Sequence, residues 1–301
     1  MPSPLRSGFV CLLGRPNVGK STLVNRLVGR PISITAPRPQ TTRNRILGVR
    51  HGPGTQAVFV DTPGLHEPTG ALNRRMVGYA LGALADADLV LMLVEPCPGP
   101  TYVRHPGDAL VLERLQAAGR PALLAVNKID RANEGEVLRT IAGFADGPFA
   151  EIVPVSALTG RGVERLAALI EARLPEGPPY FDADQVTDQP EAALCAELVR
   201  QEVFRRLRQE VPYATAVRVE EMTDRGDLLA ITARIYVDRD SQKGILIGRG
   251  GRMLKSIGQA ARRHIERLLG TRVFLALDVR VLKDWSSDPR RLTELGYPEG
   301  E

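Results

Sequence analysis

Cysteine is scarce in this sequence. There are three in 301 residues, Cys11, Cys97 and Cys195, odd in number and scattered. That excludes a disulfide framework and a cysteine zinc site, and fits a reducing compartment. Long apolar runs are also absent: none approaches the roughly 18 residues a membrane span needs. The first residues, MPSPLRS, are too short and polar for a signal peptide, so a cytoplasmic protein is expected. Lysine appears only at 20, 128, 243, 255 and 283, and arginine carries most of the positive charge. The formal net charge is +5, a weak pointer to an anionic partner. Hydrophobic residues make up 43% and charged residues 25%, as in an ordinary globular protein, and the length allows two domains.

What is present begins with Gly14–Ser21, GRPNVGKS, which fits G-x-x-x-x-G-K-S. An apolar run, Phe9–Leu13, precedes it as a buried strand would. Thr22–Gly29 follows with helical spacing and a glycine stop. Strand, loop and helix put backbone N–H groups around a polyphosphate, through Gly14, Arg15, Pro16, Asn17, Val18, Gly19, Lys20, Ser21 and Thr22. Lys20 reaches the β- and γ-phosphates in such a site, and the Ser21 hydroxyl holds Mg²⁺.

Arg30–Arg45 has three prolines, no helical period and the pair Thr41–Thr42, and is expected to be a mobile switch loop. Either threonine could complete the Mg²⁺ shell. Two strands, 46–49 and 56–60, form a hairpin that leads into Asp61, Thr62, Pro63 and Gly64. Asp61 is placed to act through Mg²⁺, and the Gly64 N–H to meet the γ-phosphate. Position 65 is Leu, where Ras-like enzymes carry the glutamine that orients the attacking water. Hydrolysis then relies on another group, and slow intrinsic turnover is expected, with Lys20, Gly64 and one of the two threonines as the catalytic set.

Apolar runs at 89–94 and 121–126 flank a helix near 108–118, and the second ends in Asn127-Lys128-Ile129-Asp130. The Asp130 carboxylate would accept from the guanine N1–H and exocyclic amine, a pair adenine does not offer. A strand at 152–155 runs into Ser156-Ala157-Leu158, where a backbone N–H would meet guanine O6, and a helix over 163–174 closes the unit. Alternating strands and helices imply a mostly parallel sheet with helices on both faces, and the motifs in order make 1–174 an α/β P-loop GTPase domain. Residues 175–189, rich in proline and acid, read as a linker.

The remainder reads α-β-β-α-α-β: helix 191–210, strands 214–222 and 228–237 about a TDRGD turn, helices 241–247 and 252–269, strand 273–281. Gly248-Arg249-Gly250-Gly251 lies between the two later helices. From 243 to 272 there are eight basic residues and one acid, whereas 182–301 as a whole holds 20 of each, so the positive charge is concentrated. This is the pattern of an α+β type II KH domain over 190–282. RNA contact is expected from Lys243, Ile247, Gly248, Arg249, Gly250, Gly251, Arg252 and Lys255, with single-stranded RNA the expected ligand. A tail, 283–301, carries Trp285, the single tryptophan; it could contact RNA or cover a core.

Taken together the chain resembles the Era family, bacterial GTPases that join a Ras-like domain to a C-terminal KH domain. GRPNVGKS, PQTTR, DTPG, NKID and SAL carry the resemblance in the first half, and EEM, IYVDRDSQKGILIGRGG and LTELGY in the second. The resemblance implies GTP hydrolysis with Mg²⁺, GTP/GDP switching, and a grip on the 3′ region of small-subunit rRNA during maturation of the small ribosomal subunit. It also implies a monomer, contact with the inner face of the membrane, Thr42 as switch ligand and a monovalent cation near Asn17. Two rival readings are a P-loop kinase or ATPase, which NKID opposes, and an RNA-binding protein with only a regulatory nucleotide site, which intact Lys20, Ser21 and Asp61 oppose.

Overall fold

A computed structural model describes residues 5–36 and 38–299. Residues 1–4 of the N-terminal stretch, Pro37 of the threonine loop and the last two residues of the tail lie outside them. The first half is a six-stranded sheet in the order β2-β3-β1-β4-β5-β6. Its strands are β1 (Arg6–Leu13), β2 (Ile46–Gly52), β3 (Thr55–Asp61), β4 (Leu89–Val94), β5 (Ala122–Val126) and β6 (Phe149–Pro154). Only the edge strand β2 runs antiparallel, to β3. Five helices cover the two faces: α1 (Lys20–Val28), α2 (Gly70–Asp86), α3 (Pro106–Ala118), α4 (Glu134–Gly143) and α5 (Val163–Glu171). β4 and β5 are buried throughout, as central parallel strands must be, and so read as unbroken apolar runs.

Side chains of β1 alternate between two cores. Val10 and Leu12 pack with α1 and α5; Cys11 and Leu13 pack with α2 and α3. Register then places the motifs. Leu12 pairs with Asp61, so the aspartate ends its strand beside the phosphate loop. Val94 pairs with Val126, and Val126 with Pro154, so NKID and SAL leave neighbouring strand ends on the same edge.

The second half has the expected order: α6 (Glu191–Arg206), β7 (Thr215–Asp224), β8 (Leu229–Val237), α7 (Asp240–Ile247), α8 (Arg252–Leu269) and β9 (Val273–Val281). The sheet order is β7-β8-β9, with β7 antiparallel and β9 parallel to β8, and helices pack on one face around Val199, Ile235, Ile257 and Ile265.

Some details add to or differ from expectation, and the tail takes one of its two alternatives. α1 starts at Lys20 rather than Thr22. Helices α2 and α4 add to those expected. The tail forms α9 (Pro289–Glu294) and covers a core: Trp285 is fully buried, donates its indole N–H to Ala214 O at 3.0 Å, and packs with Tyr297, Leu292 and, from α2, Leu72 and Met76. Residues 175–189 do not hang free. Their carbonyls at 178 and 181 accept from Ser7 and Gln56, and Val186 O accepts from Val49 N–H at 2.9 Å.

Candidate nucleotide and RNA sites

The phosphate loop leaves β1 and turns into α1 at Gly19, whose φ of +101° only glycine adopts readily. A Cβ there would also stand 2.3 Å from the Asn127 Nδ2. No side chain caps α1, so its first amides remain free for an anion. Lys20 is buried, and its ammonium donates to Gly14 O at 3.0 Å and Arg15 O at 3.2 Å. Burial pulls its pKa down to about 8, and the charge of Asp61 partly offsets this.

Ser21, Thr42 and Asp61 converge. Ser21 Oγ and Thr42 Oγ1 lie 2.8 Å apart. Thr41 turns away and donates to Arg38 O at 2.8 Å, so Thr42 is the threonine that faces the loop. Asp61 is fully buried, and Ser33 Oγ donates to its Oδ2 at 2.6 Å. Burial pushes this carboxyl up, while the hydroxyls of Ser33 and Ser21, the Lys20 charge and Thr42 pull against it. Its Oδ1 has no hydrogen-bond partner. An orphaned carboxylate oxygen beside two hydroxyls is a hard oxygen donor set, and it fits Mg²⁺. Among the described residues no group of three His, Cys, Asp or Glu side chains could hold a metal ion.

A cavity of about 380 Å³ opens in front of this set. Pro16, Asn17, Gly19, Lys20, Ser21, Thr22, Thr42, Thr62 and Gly64 line its phosphate end; Asn127, Lys128, Asp130, Ala157 and Leu158 line its base end. Gly14, Arg15, Val18, Asp61, Pro63 and Ser156 stand behind that surface. Gly64 touches the loop closely: a Cβ there would be 2.5 Å from Pro16 N and 2.7 Å from Pro16 Cα. Leu65 points the other way, buried in the α2–α3 core, so its side chain has no route to the phosphates. Asn17 is exposed with φ +68°, and its carbonyl accepts from Lys128 at 2.6 Å.

Several of these residues also make hydrogen bonds within the protein. Thr62 donates to Leu12 O at 2.6 Å and so ties two strands. Asn127 is a strut: it donates to Val18 O at 2.7 Å and accepts from Ala157 N–H at 2.9 Å. Ser156 N–H donates to Arg161 O at 2.8 Å. Two of the three SAL amides are thus committed within the protein. Asp130 is held from the far side by Ser156 Oγ at 2.6 Å, which aims its other oxygen outward. Sequence motifs missed Glu95, just past β4. It pairs with Arg15 at 2.6 Å and with Lys128, bracing the phosphate loop against NKID. Burial raises its pKa, but Lys128 and Arg15 hold it below the usual carboxylate range.

In the second half Gly248, Gly250 and Gly251 have φ of +70°, +60° and +74°. They make a single tight turn, closed by Gly251 N–H to Gly248 O at 3.1 Å, that opens α8. A Cβ at Gly248 would lie 2.8 Å from Met253 Cβ, whereas Gly250 has open space in front. Arg249, Arg252 and Lys255 are exposed; Lys243, Ile247 and Gly251 are half-buried around them. Arg262, Arg263 and Arg267 continue the exposed basic surface of α8.

Known proteins resemble both halves of the chain. Residues 9–128 match the family described as 50S ribosome-binding GTPase, and residues 210–286 match the KH domain family. GTPase Era of Geobacter metallireducens is 53% identical over 298 residues, which cover 98% of this chain and 99% of that one. The chain belongs to the Era family of GTPases. GTPase Era of Lactobacillus helveticus, 47% identical, covers 98% of this chain and 97% of its own. Two crystal structures of Era proteins superpose with a TM-score of 0.92 at 37% identity and cover 98% of this chain. One is a complex with MgGDPNP and nucleotides 1506–1542 of 16S ribosomal RNA; the other, an Aquifex aeolicus Era variant, holds GDP and AlF4⁻. As a member of the Era family the chain is a GTP hydrolase, a P-loop GTPase domain followed by a KH domain. Among the described residues no helix is long and apolar enough to cross a membrane.

Proposed function

We propose that this protein hydrolyses GTP with Mg²⁺ and binds single-stranded RNA at the 3′ region of small-subunit rRNA, and that it acts in assembly of the small ribosomal subunit. GTP and GDP states would control its hold on RNA and ribosome. The observation that carries the reading is the coexistence in one chain of a converged Ser21–Thr42–Asp61 donor set and an exposed glycine turn opening a basic helix. The Era complex that holds both MgGDPNP and rRNA supports it. In this reading Lys20, Thr42 and Gly64 serve the γ-phosphate, Asp130 and the Leu158 amide read guanine, and Asn17 sits by a monovalent cation. Residues 1–174 form the G domain, 175–189 the linker, 190–282 the KH domain and 283–301 the tail. The protein works as a cytoplasmic monomer, and on family grounds alone it touches the inner face of the membrane.

Replacing Arg249 and Gly250 together with Asp puts negative charge where phosphate would lie and a side chain where backbone must approach. RNA affinity should fall by orders of magnitude while GTP hydrolysis persists. A double variant that binds this RNA like the parent would refute the KH assignment.

A further inference from the structure

Thr42 is bracketed by residues held from the KH side. Its predecessor, Thr41, gives its carbonyl to Arg200 of α6, a fully buried arginine. Its successor, Arg43, is itself 2% exposed, far from the solvent a guanidinium normally keeps. Arg43 donates to Thr215 O at 2.7 Å, Tyr213 O at 2.8 Å and Pro212 O at 3.2 Å. Its guanidinium carbon lies 5.7 Å from the Trp285 ring centre, 5.8 Å from Phe204 and 6.0 Å from Tyr297. The cage therefore consists of KH carbonyls and of rings from α6 and the tail. Such a cage satisfies a buried cation by hydrogen bonds and ring quadrupoles. Three more residues of the loop are moored on the same side: Thr35 N–H donates to Gln201 at 3.0 Å, Arg38 to Leu207 O, and Asn44 to Gly296 O at 3.0 Å. Three consecutive residues thus read anchor, metal-facing hydroxyl, anchor.

We propose that Arg43 is a positioning residue for the Mg²⁺ site: seated in the KH–tail cage, it holds Thr42 against Ser21. Thr42 on the metal and Arg43 in the cage are then one state of the molecule. This rests on the reading of Thr42 as a Mg²⁺ ligand made only with the triphosphate. The KH domain acts on nucleotide choice without touching nucleotide, through a loop whose order it supports. By reciprocity, a triphosphate that pins Thr42 also pins the KH domain's contacts with the loop.

The test compares dissociation constants of a non-hydrolysable GTP analogue and of GDP for the full chain and for Arg43→Ala, with Mg²⁺ and with chelator. Arg43→Ala should weaken the analogue about 5- to 150-fold, the usual range of such coupling. GDP affinity should stay within about twofold, which also certifies the fold, and chelator should abolish the difference. Arg43→Lys, which keeps the charge but lacks the planar fork for three carbonyls, should lose less. It carries the same comparison if Arg43→Ala does not fold. Trp285, the single tryptophan, reports on the cage: its emission should differ between the GDP and analogue states of the parent and not in Arg43→Ala. Equal changes for both nucleotides, no change for either, or tryptophan emission indifferent to nucleotide in the parent would overturn the proposal. No RNA enters the experiment, so its failure is separate from a failure of the RNA-binding reading. A parent that binds neither nucleotide would overturn the GTPase reading and this proposal with it.

Discussion

Ser33→Ala isolates one hydrogen bond at the metal site. Ser33 Oγ donates to Asp61 Oδ2 at 2.6 Å inside the protein, and Asn25 fixes the serine backbone by bonds of 2.9 and 2.7 Å. Asp61 is fully buried, so no water replaces the lost donor. A hydrogen bond to a buried charge is worth about 1.5–3 kcal/mol. Groups that orient a metal's ligands typically cost about 10- to 100-fold in metal affinity when removed, or about 1.4–2.7 kcal/mol, and the two ranges agree. Ser33→Ala should therefore raise the Mg²⁺ concentration that half-saturates GTP hydrolysis by about 10- to 100-fold. The sign of the pH effect follows from the carboxyl. Burial already lifts its pKa, Ser33 opposes that lift, and removing Ser33 lifts it further. Protons then compete with Mg²⁺, so the defect should deepen as pH falls and shrink as it rises. The assay is a Mg²⁺ titration of hydrolysis at several pH values, beside a denaturant melt to confirm folding. A variant that titrates like the parent would show that Asp61 needs no support from the switch loop.

Asp130→Asn should weaken GTP binding and admit xanthosine triphosphate, whose 2-oxo group suits an amide donor; a competition assay with unchanged guanine preference would remove Asp130 from base recognition. Lys20, with a pKa of about 8, gains an anionic partner when nucleotide binds, so its pKa rises in the complex. Affinity should accordingly be level below about pH 8 and fall above it, at most about tenfold per pH unit, as binding titrations across that range would record. Leu65→Ala opens the α2–α3 core and should cost about 2–5 kcal/mol of stability in a denaturant melt. Turnover per folded molecule should stay near that of the parent, whereas Lys20→Ala should lose it.

Much of the fold was open to reading because its signals are local. Unbroken apolar runs marked β1, β4 and β5, and glycine turns marked both sites. Helix α2 carries Leu72, Met76, Ala80, Ala83 and Leu84 at helical spacing, but Gly70, Gly78 and Gly82 dilute its propensity. What escaped were contacts between distant residues. Ser33 and Asp61 are 28 residues apart, and the serine sits in a proline-rich loop with no period to flag it. Arg43 reads as a solvated arginine after two threonines; only the arrival of Thr215 from 172 residues away makes it a buried cation. Trp285 was ambiguous for the same reason, since Ala214 and the α2 side chains that cover it lie far off in sequence. The NKID asparagine was legible as a motif, yet its work as a strut between Val18 and Ala157 required the strand register.

The central claim is that nucleotide state and RNA affinity are linked within one chain. It is tested most directly by titrating single-stranded RNA from the 3′ end of the small-subunit rRNA into the full-length protein, once with a GTP analogue and Mg²⁺ and once with GDP. The account predicts affinities that differ by about 5- to 150-fold, and the same factor when nucleotide is titrated with and without RNA. Equal RNA affinity in both nucleotide states would contradict it.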